Sequence, residues 1–349
     1  MTFEEIYSID SSNMHKLLKE FPLQVEEAVS IGKSVSLNIQ GKNIRQIVLT
    51  GLGGSAIGGD LLRNYLHGEL RIPFLVNRQY TLPAFAGRDT LVIVSSYSGN
   101  TEETNSAHRE ALKRRAKVLC ISSGGATGKL AQAKRQALIK IPPGLPPRTA
   151  LGYSFFPLLI ALTKLGLVRD KSREIAETIR LLHAKADEYG TPDPAGNRAL
   201  QIAEQFRGRM GAVYAAGERL DGVATRWRGQ MAENGKALMF GHVLPEMNHN
   251  EIVGWKNPAE PLRDLFVVFL RDKGDHRRVQ RRMDLSKHII AEHTPHIVEV
   301  WSEGVSLLAR LFSLVYLGDW ISYYLAILHG EDPTPVNVID YLKEELSKK

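Results

Sequence analysis

Short apolar runs alternate with amphipathic stretches along the first 150 residues of this 349-residue chain. Five runs are long enough to form buried strands, and stretches with helical periodicity, such as 102–115, separate them. The five runs cover residues 46–50, 72–76, 91–95, 117–122 and 137–141. Strands that alternate with helices form a parallel sheet with helices on both faces. The pattern therefore predicts an α/β domain of the doubly wound, flavodoxin-like kind.

The alternation pauses and then resumes in the second half of the chain. Helical sequence from about 151 to 188 ends in a cluster of turn-forming residues at 189–197. Beyond it we expect a helix at 198–207, strands at 212–216, 265–270 and 297–300, and a closing helix at 306–328. Both halves thus use the same architecture. The predicted units are an N-terminal helical segment (1–45), a first α/β domain with connecting helices (46–188) and a second with C-terminal helices (189–349).

Composition narrows the class of protein. Hydrophobic residues make up 43% of the chain and charged residues 24%, which are ordinary values for a globular protein of about two domains. The single cysteine, Cys120, cannot form a disulfide within the chain, which fits a reducing cytoplasm. The first residues lack a signal-peptide pattern, and the longest apolar stretch, 153–168, is too short to span a bilayer. We therefore expect a cytoplasmic protein without a membrane partner.

The net charge of +7 raises the question of nucleic-acid binding. The densest basic stretch is 271–282, and it lacks the stacking aromatics and the recognisable module that nucleic-acid binders usually carry. We interpret it as a solvated loop and helix face, and we expect no nucleic-acid partner. A positive net charge also attracts small phosphorylated substrates.

A glycine-rich turn follows the first predicted strand. Residues 51–59 read Gly-Leu-Gly-Gly-Ser-Ala-Ile-Gly-Gly and lead into a helix. Such a turn exposes backbone N–H groups at a helix N-terminus, where the dipole favours an anion, and glycine lets the ligand approach the backbone closely. We predict that Gly53, Gly54 and Ser55 border a phosphate compound, with the Ser55 hydroxyl as an additional donor.

The same turn satisfies the dinucleotide-binding fingerprint through Gly51, Gly53 and Ala56. That fingerprint also requires a carboxylate at the end of the second strand, where it binds the ribose hydroxyls. The second predicted strand is instead followed by Asn77 and Arg78, which argues against a nicotinamide or flavin, so we expect no cofactor. The chain has eleven histidines but neither an HExxH motif nor a cysteine cluster, so we expect no metal either.

A second polar loop follows the third predicted strand. Residues 95–104 include Ser96, Ser98 and Thr101, three hydroxyls at the point where a helix begins. Helix capping by Ser98 or Asn100 is the simpler interpretation, but capping needs only one such side chain. Because the carboxyl ends of parallel strands meet at one edge of a sheet, we predict that this loop and the glycine turn bind phosphate together.

The two loops together carry a family resemblance. Ser-x-Ser-Gly-x-Thr-x-Glu at 96–103, preceded by Gly-x-Gly-Gly-Ser at 51–55, resembles the sugar isomerase (SIS) domain. Two SIS-like halves in tandem resemble the phosphoglucose isomerase group. Three further segments, 147–153, 227–236 and 247–255, are similar to the bifunctional phosphoglucose/phosphomannose isomerases, and the resemblance covers roughly residues 15–345. It implies two tandem SIS domains and a small phosphosugar substrate held by the hydroxyls of the second loop.

The resemblance also implies catalytic residues. Glu233 matches the base that moves a proton between C1 and C2, and Arg148 is either the cation beside the developing enediolate or a further ligand of the sugar. His249 matches a ring-opening histidine that the other subunit supplies, which implies a homodimer. Lys343 is the candidate for a C-terminal lysine that assists ring opening.

The implied function is an aldose–ketose isomerase that interconverts glucose 6-phosphate and mannose 6-phosphate with fructose 6-phosphate through a cis-enediol intermediate. Without the resemblance, Glu233 and Lys343 would count as ordinary exposed helix residues. The family also has a C-terminal threonine, for which this chain offers Thr334, although Val336 stands nearer the expected place. Two other functions stay open: a non-catalytic SIS protein that senses a phosphosugar, and another phosphosugar isomerase on the same scaffold.

Overall fold

The computed structural model describes residues 2–348, which fold around two sheets. The strands of the first sheet are β1 (Gln46–Thr50), β2 (Phe74–Asn77), β3 (Thr90–Ser95), β4 (Lys117–Ser122) and β5 (Ala137–Lys140). Those of the second are β6 (Gly211–Ala216), β7 (Met239–Leu244), β8 (Phe266–Arg271) and β9 (Ile297–Trp301). Their orders are β2-β1-β3-β4-β5 and β7-β6-β8-β9, and all neighbouring strands are parallel.

Helices cover both sheets and fill the space between them. They are α1 (Phe3–Ile9), α2 (Met14–Lys19), α3 (Phe21–Ser34), α4 (Gly53–Leu66), α5 (Glu102–Lys113), α6 (Gly125–Ala133), α7 (Leu151–Lys164), α8 (Ser172–Tyr189), α9 (Arg198–Phe206), α10 (Asp221–Glu233), α11 (Ala259–Arg263), α12 (Arg277–Ala291), α13 (Leu307–His329) and α14 (Asn337–Ser347). Short 3-10 turns lie at Gly41–Asn43, Pro147–Thr149, Glu246–His249 and Glu251–Gly254.

The central strands of the first sheet are buried on both faces, which explains their continuous apolar runs. All six residues of β3 are buried, for example. The strand order reverses at β1, since β2 lies on one side of it and β3 on the other, so the loops after β1 and β3 flank the crevice where ligands bind in sheets of this class. The observed order is the flavodoxin-like order that the sequence pattern predicts.

One long helix, α13, joins the two halves. It packs against α8 of the first half and against α9 and α10 of the second. Its Phe312 ring contacts Phe21 of α3 and Phe155 of α7. By length and hydropathy α13 could span a membrane, but 94% of its most apolar stretch is buried within the protein. The two sheets therefore share one hydrophobic core, which fixes their relative position.

Most predicted elements are present with ends that differ by one or two residues from the prediction. Among the strands, the sequence pattern does not predict β7, which the structure contains. This edge strand is poorly alternating, because Phe240 is exposed and Gly241 and His242 interrupt the apolar positions. The proposed domain boundaries remain predictions.

Candidate active site

The glycine-rich turn joins β1 directly to α4. Gly53, the first residue of α4, has a φ of +49°, and among the described residues outside its own turn of helix no atom lies within 4 Å of the position that a Cβ would take there. Gly54 differs, because a Cβ on it would lie 2.4 Å from the Pro147 carbonyl oxygen. Gly53 therefore faces open space, whereas Gly54 allows the turn to pack against the backbone that carries Arg148.

The serine-rich loop after β3 is tied to the glycine turn. The Ser55 hydroxyl accepts a hydrogen bond from the Tyr97 N–H at 3.0 Å, and the Ser95 hydroxyl donates to the Ser55 carbonyl at 3.1 Å. Within the loop, the buried Ser96 hydroxyl lies 3.0 Å from the Thr101 hydroxyl. The two predicted binding segments are thus neighbours at the carboxyl edge of the first sheet.

The capping interpretation of this loop is wrong. The N-cap of α5 is Thr101, and its side chain makes no capping hydrogen bond to that helix within the described chain. The Ser98 hydroxyl, which is exposed, accepts from the Asn100 N–H at 3.2 Å, and the Asn100 side chain accepts from the Ala126 N–H in the first turn of α6. The amino end of α5 is therefore left without a side-chain cap beside the glycine turn.

Arg148 and Glu233 form an ion pair next to these loops. Arg148 lies in the Pro147–Thr149 turn, is only 4% exposed, and places its Nη1 3.7 Å from the Glu233 Oε2. Glu233 is the last residue of α10, and its side chain is 32% exposed, so solvent or a substrate can reach it. Burial lowers the pKa of the Arg148 guanidinium below its usual value, an effect that the Glu233 carboxylate opposes. The pair offers a carboxylate and a cation side by side.

A second, fully buried ion pair supports the first. Arg226 binds Asp319 through two hydrogen bonds of 2.9 and 2.7 Å, and its Nη2 also donates to the Arg148 carbonyl at 3.0 Å. Such a two-pronged pair has a defined geometry, so it fixes the backbone of Arg148. Sequence reasoning missed both residues. The available signal was the spacing of Arg226 and Glu233, which are seven residues apart and therefore share one face of α10.

His249 is not brought to Glu233 of the same chain. Helix α10, which carries Glu233, packs through Met231 on the core between the two sheets, whereas the turn that carries His249 packs through Met247 on the other face of the second sheet. His249 is exposed, and within residues 2–348 its side chain makes no hydrogen bond or ion pair. The second sheet therefore stands between these two candidate residues.

Within residues 2–348, Lys343 pairs with a neighbour on its own helix and forms no ion pair with Glu233. It is on α14, its side chain is 70% exposed, and its ammonium lies 3.4 Å from the Asp340 carboxylate one turn earlier. The segment that leads to α14 does reach the pair, because the Pro333 and Thr334 carbonyls accept hydrogen bonds from Arg148 Nη2 at 2.9 and 2.8 Å. Sequence reasoning did not foresee these contacts.

Two family models match the chain. The SIS domain matches residues 42–143, and the bacterial phospho-glucose isomerase C-terminal SIS domain matches residues 195–346. The same two stretches contain the two parallel sheets. Together they define a protein built from two SIS domains, each with a parallel sheet flanked by helices.

Comparison with related proteins identifies the family within this class. A bifunctional phosphoglucose/phosphomannose isomerase from Caldicellulosiruptor bescii is 43% identical over 96% of this chain and 99% of its own. The protein of the same name from Aquifex aeolicus is 39% identical over 86% and 90%. A glucose-6-phosphate isomerase-like protein from Thermus thermophilus has a TM-score of 0.63 at 18% identity, over 98% of this chain and 97% of its own. The chain belongs to the family of bifunctional phosphoglucose/phosphomannose isomerases, which are aldose–ketose isomerases.

Proposed function

We propose that the protein interconverts glucose 6-phosphate and mannose 6-phosphate with fructose 6-phosphate. The observation that carries this proposal is the Arg148–Glu233 pair, which is partly open to solvent and lies beside two loops with anion-binding character. Isomerisation needs a phosphate anchor, a base close to C1 and C2, and a group that stabilises the charge of the intermediate. The carboxyl edge of the first sheet offers all three within one chain.

The serine-rich loop is the proposed phosphate anchor. The hydroxyls of Ser96, Ser98 and Thr101, with that of Ser55, supply donors at the amino end of α5, where the helix dipole also favours an anion. Gly53 and Gly54 then border the sugar. With the phosphate held there, C1 and C2, at the far end of the substrate, are proposed to lie towards Glu233.

Glu233 is the proposed base. It removes the proton from C2 of the open-chain aldose and returns it to C1, while the proton of the C2 hydroxyl moves to the C1 oxygen, which leaves the ketose. The enediolate is the same for both aldoses, because C2 is trigonal in it and the configuration of the glucose or mannose substrate is lost. Arg148 stabilises the negative charge on the enediolate oxygen. Acceptance of both epimers requires only that Glu233 reach C2 from either configuration.

Ring opening is assigned to His249 and Lys343 in a homodimer. The partner's copy of the histidine is proposed to complete each site, and the separation of His249 from Glu233 within one chain supports this assignment. We also propose a cytoplasmic location and a place in glycolysis or gluconeogenesis. A non-catalytic phosphosugar sensor is the weaker alternative, because binding alone gives no role to a carboxylate held against a buried arginine.

A coupled assay with fructose 6-phosphate, scored separately for glucose and mannose 6-phosphate, tests the proposal. We expect both products from the wild-type protein. Glu233→Gln should lower kcat by at least about a thousandfold, because the amide cannot accept the proton, while substrate binding measured by calorimetry is retained. Glu204→Gln, on an exposed face of α9, is the matched control and should keep full activity. Wild-type protein that forms neither product would refute the isomerase assignment.

A further inference from the structure

Two cations hold the segment that connects α13 to α14. We refer to residues 331–336 as the C-terminal arm. Arg148 Nη2 donates to the Pro333 and Thr334 carbonyls, and the Lys236 ammonium donates to the Pro335 carbonyl at 2.7 Å and to the Pro333 carbonyl at 3.3 Å. Three successive carbonyls of the arm therefore face two positive side chains beside Glu233.

The Lys236 ammonium uses all of its donors in this way. Its third hydrogen bond, of 2.7 Å, goes to the carbonyl of Glu233 itself. An ammonium has three N–H donors, so this side chain is fully committed to backbone carbonyls, and hydrogen bonds from a charged donor are stronger than neutral ones. Lys236 thus links the residue that carries the proposed base to the C-terminal arm.

The backbone at Lys236 adds a second observation. Lys236 has a φ of +53°, and the Ala237 N–H closes the end of α10 by a hydrogen bond of 3.0 Å to the Met231 carbonyl. This left-handed position after a helix is normally occupied by glycine, because other residues are strained there. The chain therefore places a long charged side chain at a position that the backbone alone would give to glycine.

Arg148 depends on the same arm for its orientation. Its Nε donates to the Asn234 side chain at 2.6 Å, its Nη2 is bound to the arm, and its Nη1 points to Glu233. The guanidinium is planar, so fixing two of its nitrogens fixes the direction of the third. If the arm moves away, Nη2 loses both of its acceptors and Nη1 is no longer directed at Glu233.

We propose that Lys236 is a positioning residue of the active site. It holds the C-terminal arm against the end of α10 and so keeps the Arg148 guanidinium directed at the Glu233 carboxylate. The proposal rests on the proposed function, because positioning matters only if the pair reacts with substrate. It concerns geometry and assigns Lys236 no contact with the sugar.

Lys236→Gly tests this proposal against a purely structural role. Glycine suits the left-handed backbone, so the melting temperature should be unchanged or higher, and a residue that served only to end α10 would leave activity intact. We expect kcat to fall about tenfold or more, with KM changed less than about threefold, since small misplacements of catalytic groups act mainly on the chemical step. Lys236→Met, which also lacks the ammonium, should lower kcat by a similar factor, whereas Lys236→Arg should retain most of the wild-type kcat. Lys134→Met, on an exposed face at the end of α6, is the control.

Hydrogen exchange of peptides spanning 330–346 supplies a readout that does not depend on activity. Exchange should become faster in Lys236→Gly and Lys236→Met but not in Lys236→Arg, while α13 stays protected in all of them. Wild-type rates of turnover and exchange in Lys236→Gly would overturn the proposal, and so would a loss of kcat with an unchanged arm. If the wild-type protein has no isomerase activity, the proposed function fails, and the exchange data still decide whether Lys236 holds the arm.

Discussion

The carboxyl edges of the two sheets differ in how they handle negative charge. In the first half, Gly53 faces open space, and the Ser96 and Thr101 hydroxyls lie 3.0 Å apart in the loop next to the glycine turn. In the second half, the loop after β8 provides its own anion, because the buried Asp272 carboxylate accepts hydrogen bonds from the Gly274 N–H, the Ser302 hydroxyl and the Arg310 Nε at 2.7, 2.7 and 2.8 Å. The same architecture is used twice, but the second edge pairs its buried carboxylates with its own donors and arginines, whereas the first edge carries the loops proposed to bind the phosphate.

A second carboxylate makes the second edge more self-contained. Asp275 is buried beside Asp272, and Arg219 lies 3.4 Å from the Asp272 carboxylate and 3.6 Å from that of Asp275. Burial, with the Asp272 charge as the next cause, raises the pKa of Asp275 to about 6. Burial also acts to raise the pKa of Asp272, but the hydrogen bonds from Ser302 and Arg310 outweigh it and lower that pKa below its usual value. The two carboxylates of this edge therefore differ in their readiness to ionise.

The largest effect is expected where the internal anion is removed. Asp272→Asn should lower the free energy of unfolding by about 3 kcal/mol, since it leaves Arg310 without its buried counter-charge and leaves Arg219 with Asp275 alone. The turnover of the folded enzyme should stay within about twofold of wild type, because the loop after β8 carries none of the proposed site residues. Urea unfolding and the coupled isomerase assay measure the two quantities. Asp264→Asn, whose side chain is 66% exposed, is the control, and a variant that loses turnover but not stability would contradict the comparison.

The corresponding change at the first edge should affect activity more than stability. Gly54→Ala places a Cβ against the Pro147 carbonyl, so the turn must move away from the backbone of Arg148. We expect kcat/KM for fructose 6-phosphate to fall about a hundredfold, equivalent to about 2.7 kcal/mol of transition-state stabilisation. Gly68→Ala, where the described residues leave open space around the added carbon, should have little effect. Near-normal kinetics of Gly54→Ala would mean that the close approach of the turn to Arg148 is unimportant.

A smaller, pH-dependent effect should distinguish Asp275. The pKa of Asp275 is raised in the folded state, so its ionisation costs stability, and this cost is fully present above about pH 6. The cost disappears as the pH falls towards about 4. There the carboxyl group is protonated in the folded state and increasingly so in the unfolded state. Asp275→Asn removes this titration. The stability of the variant relative to wild type should therefore be higher at pH 7.5 than at pH 4.5, by roughly 2 kcal/mol in urea unfolding. A difference that is the same at both pH values would show that Asp275 does not titrate in this range.

The sequence was sufficient for the parts of the molecule that local patterns determine. Buried parallel strands are continuous apolar runs, so β1, β3 and β4 could be predicted, and the polar loops that follow two of them could be recognised as candidate binding segments. The edge strand β7 could not, because half-exposed positions and a glycine weaken its pattern.

Contacts between distant parts of the chain were also beyond local patterns. Arg226 and Asp319 are 93 residues apart, and nothing in either neighbourhood indicates the other. The same holds for the carbonyls of the C-terminal arm, whose role follows only from their position beside Lys236 and Arg148. The capping interpretation of Ser98 and Asn100 failed for a related reason, since both side chains bind other partners in the folded loop.

Subunit complementation tests the central claim most directly. The claim is that Glu233, at the carboxyl edge of the first sheet of one chain, and His249 of a second copy together complete one active site. Glu233→Gln and His249→Ala are purified separately, each expected to be nearly inactive, and then mixed under conditions that allow subunits to exchange. Random pairing makes half of the dimers mixed, and each mixed dimer has one site with both residues intact, so activity should rise to about one quarter of wild type. Activity that stays at the level of the separate variants, although mass spectrometry shows mixed dimers, would contradict the account.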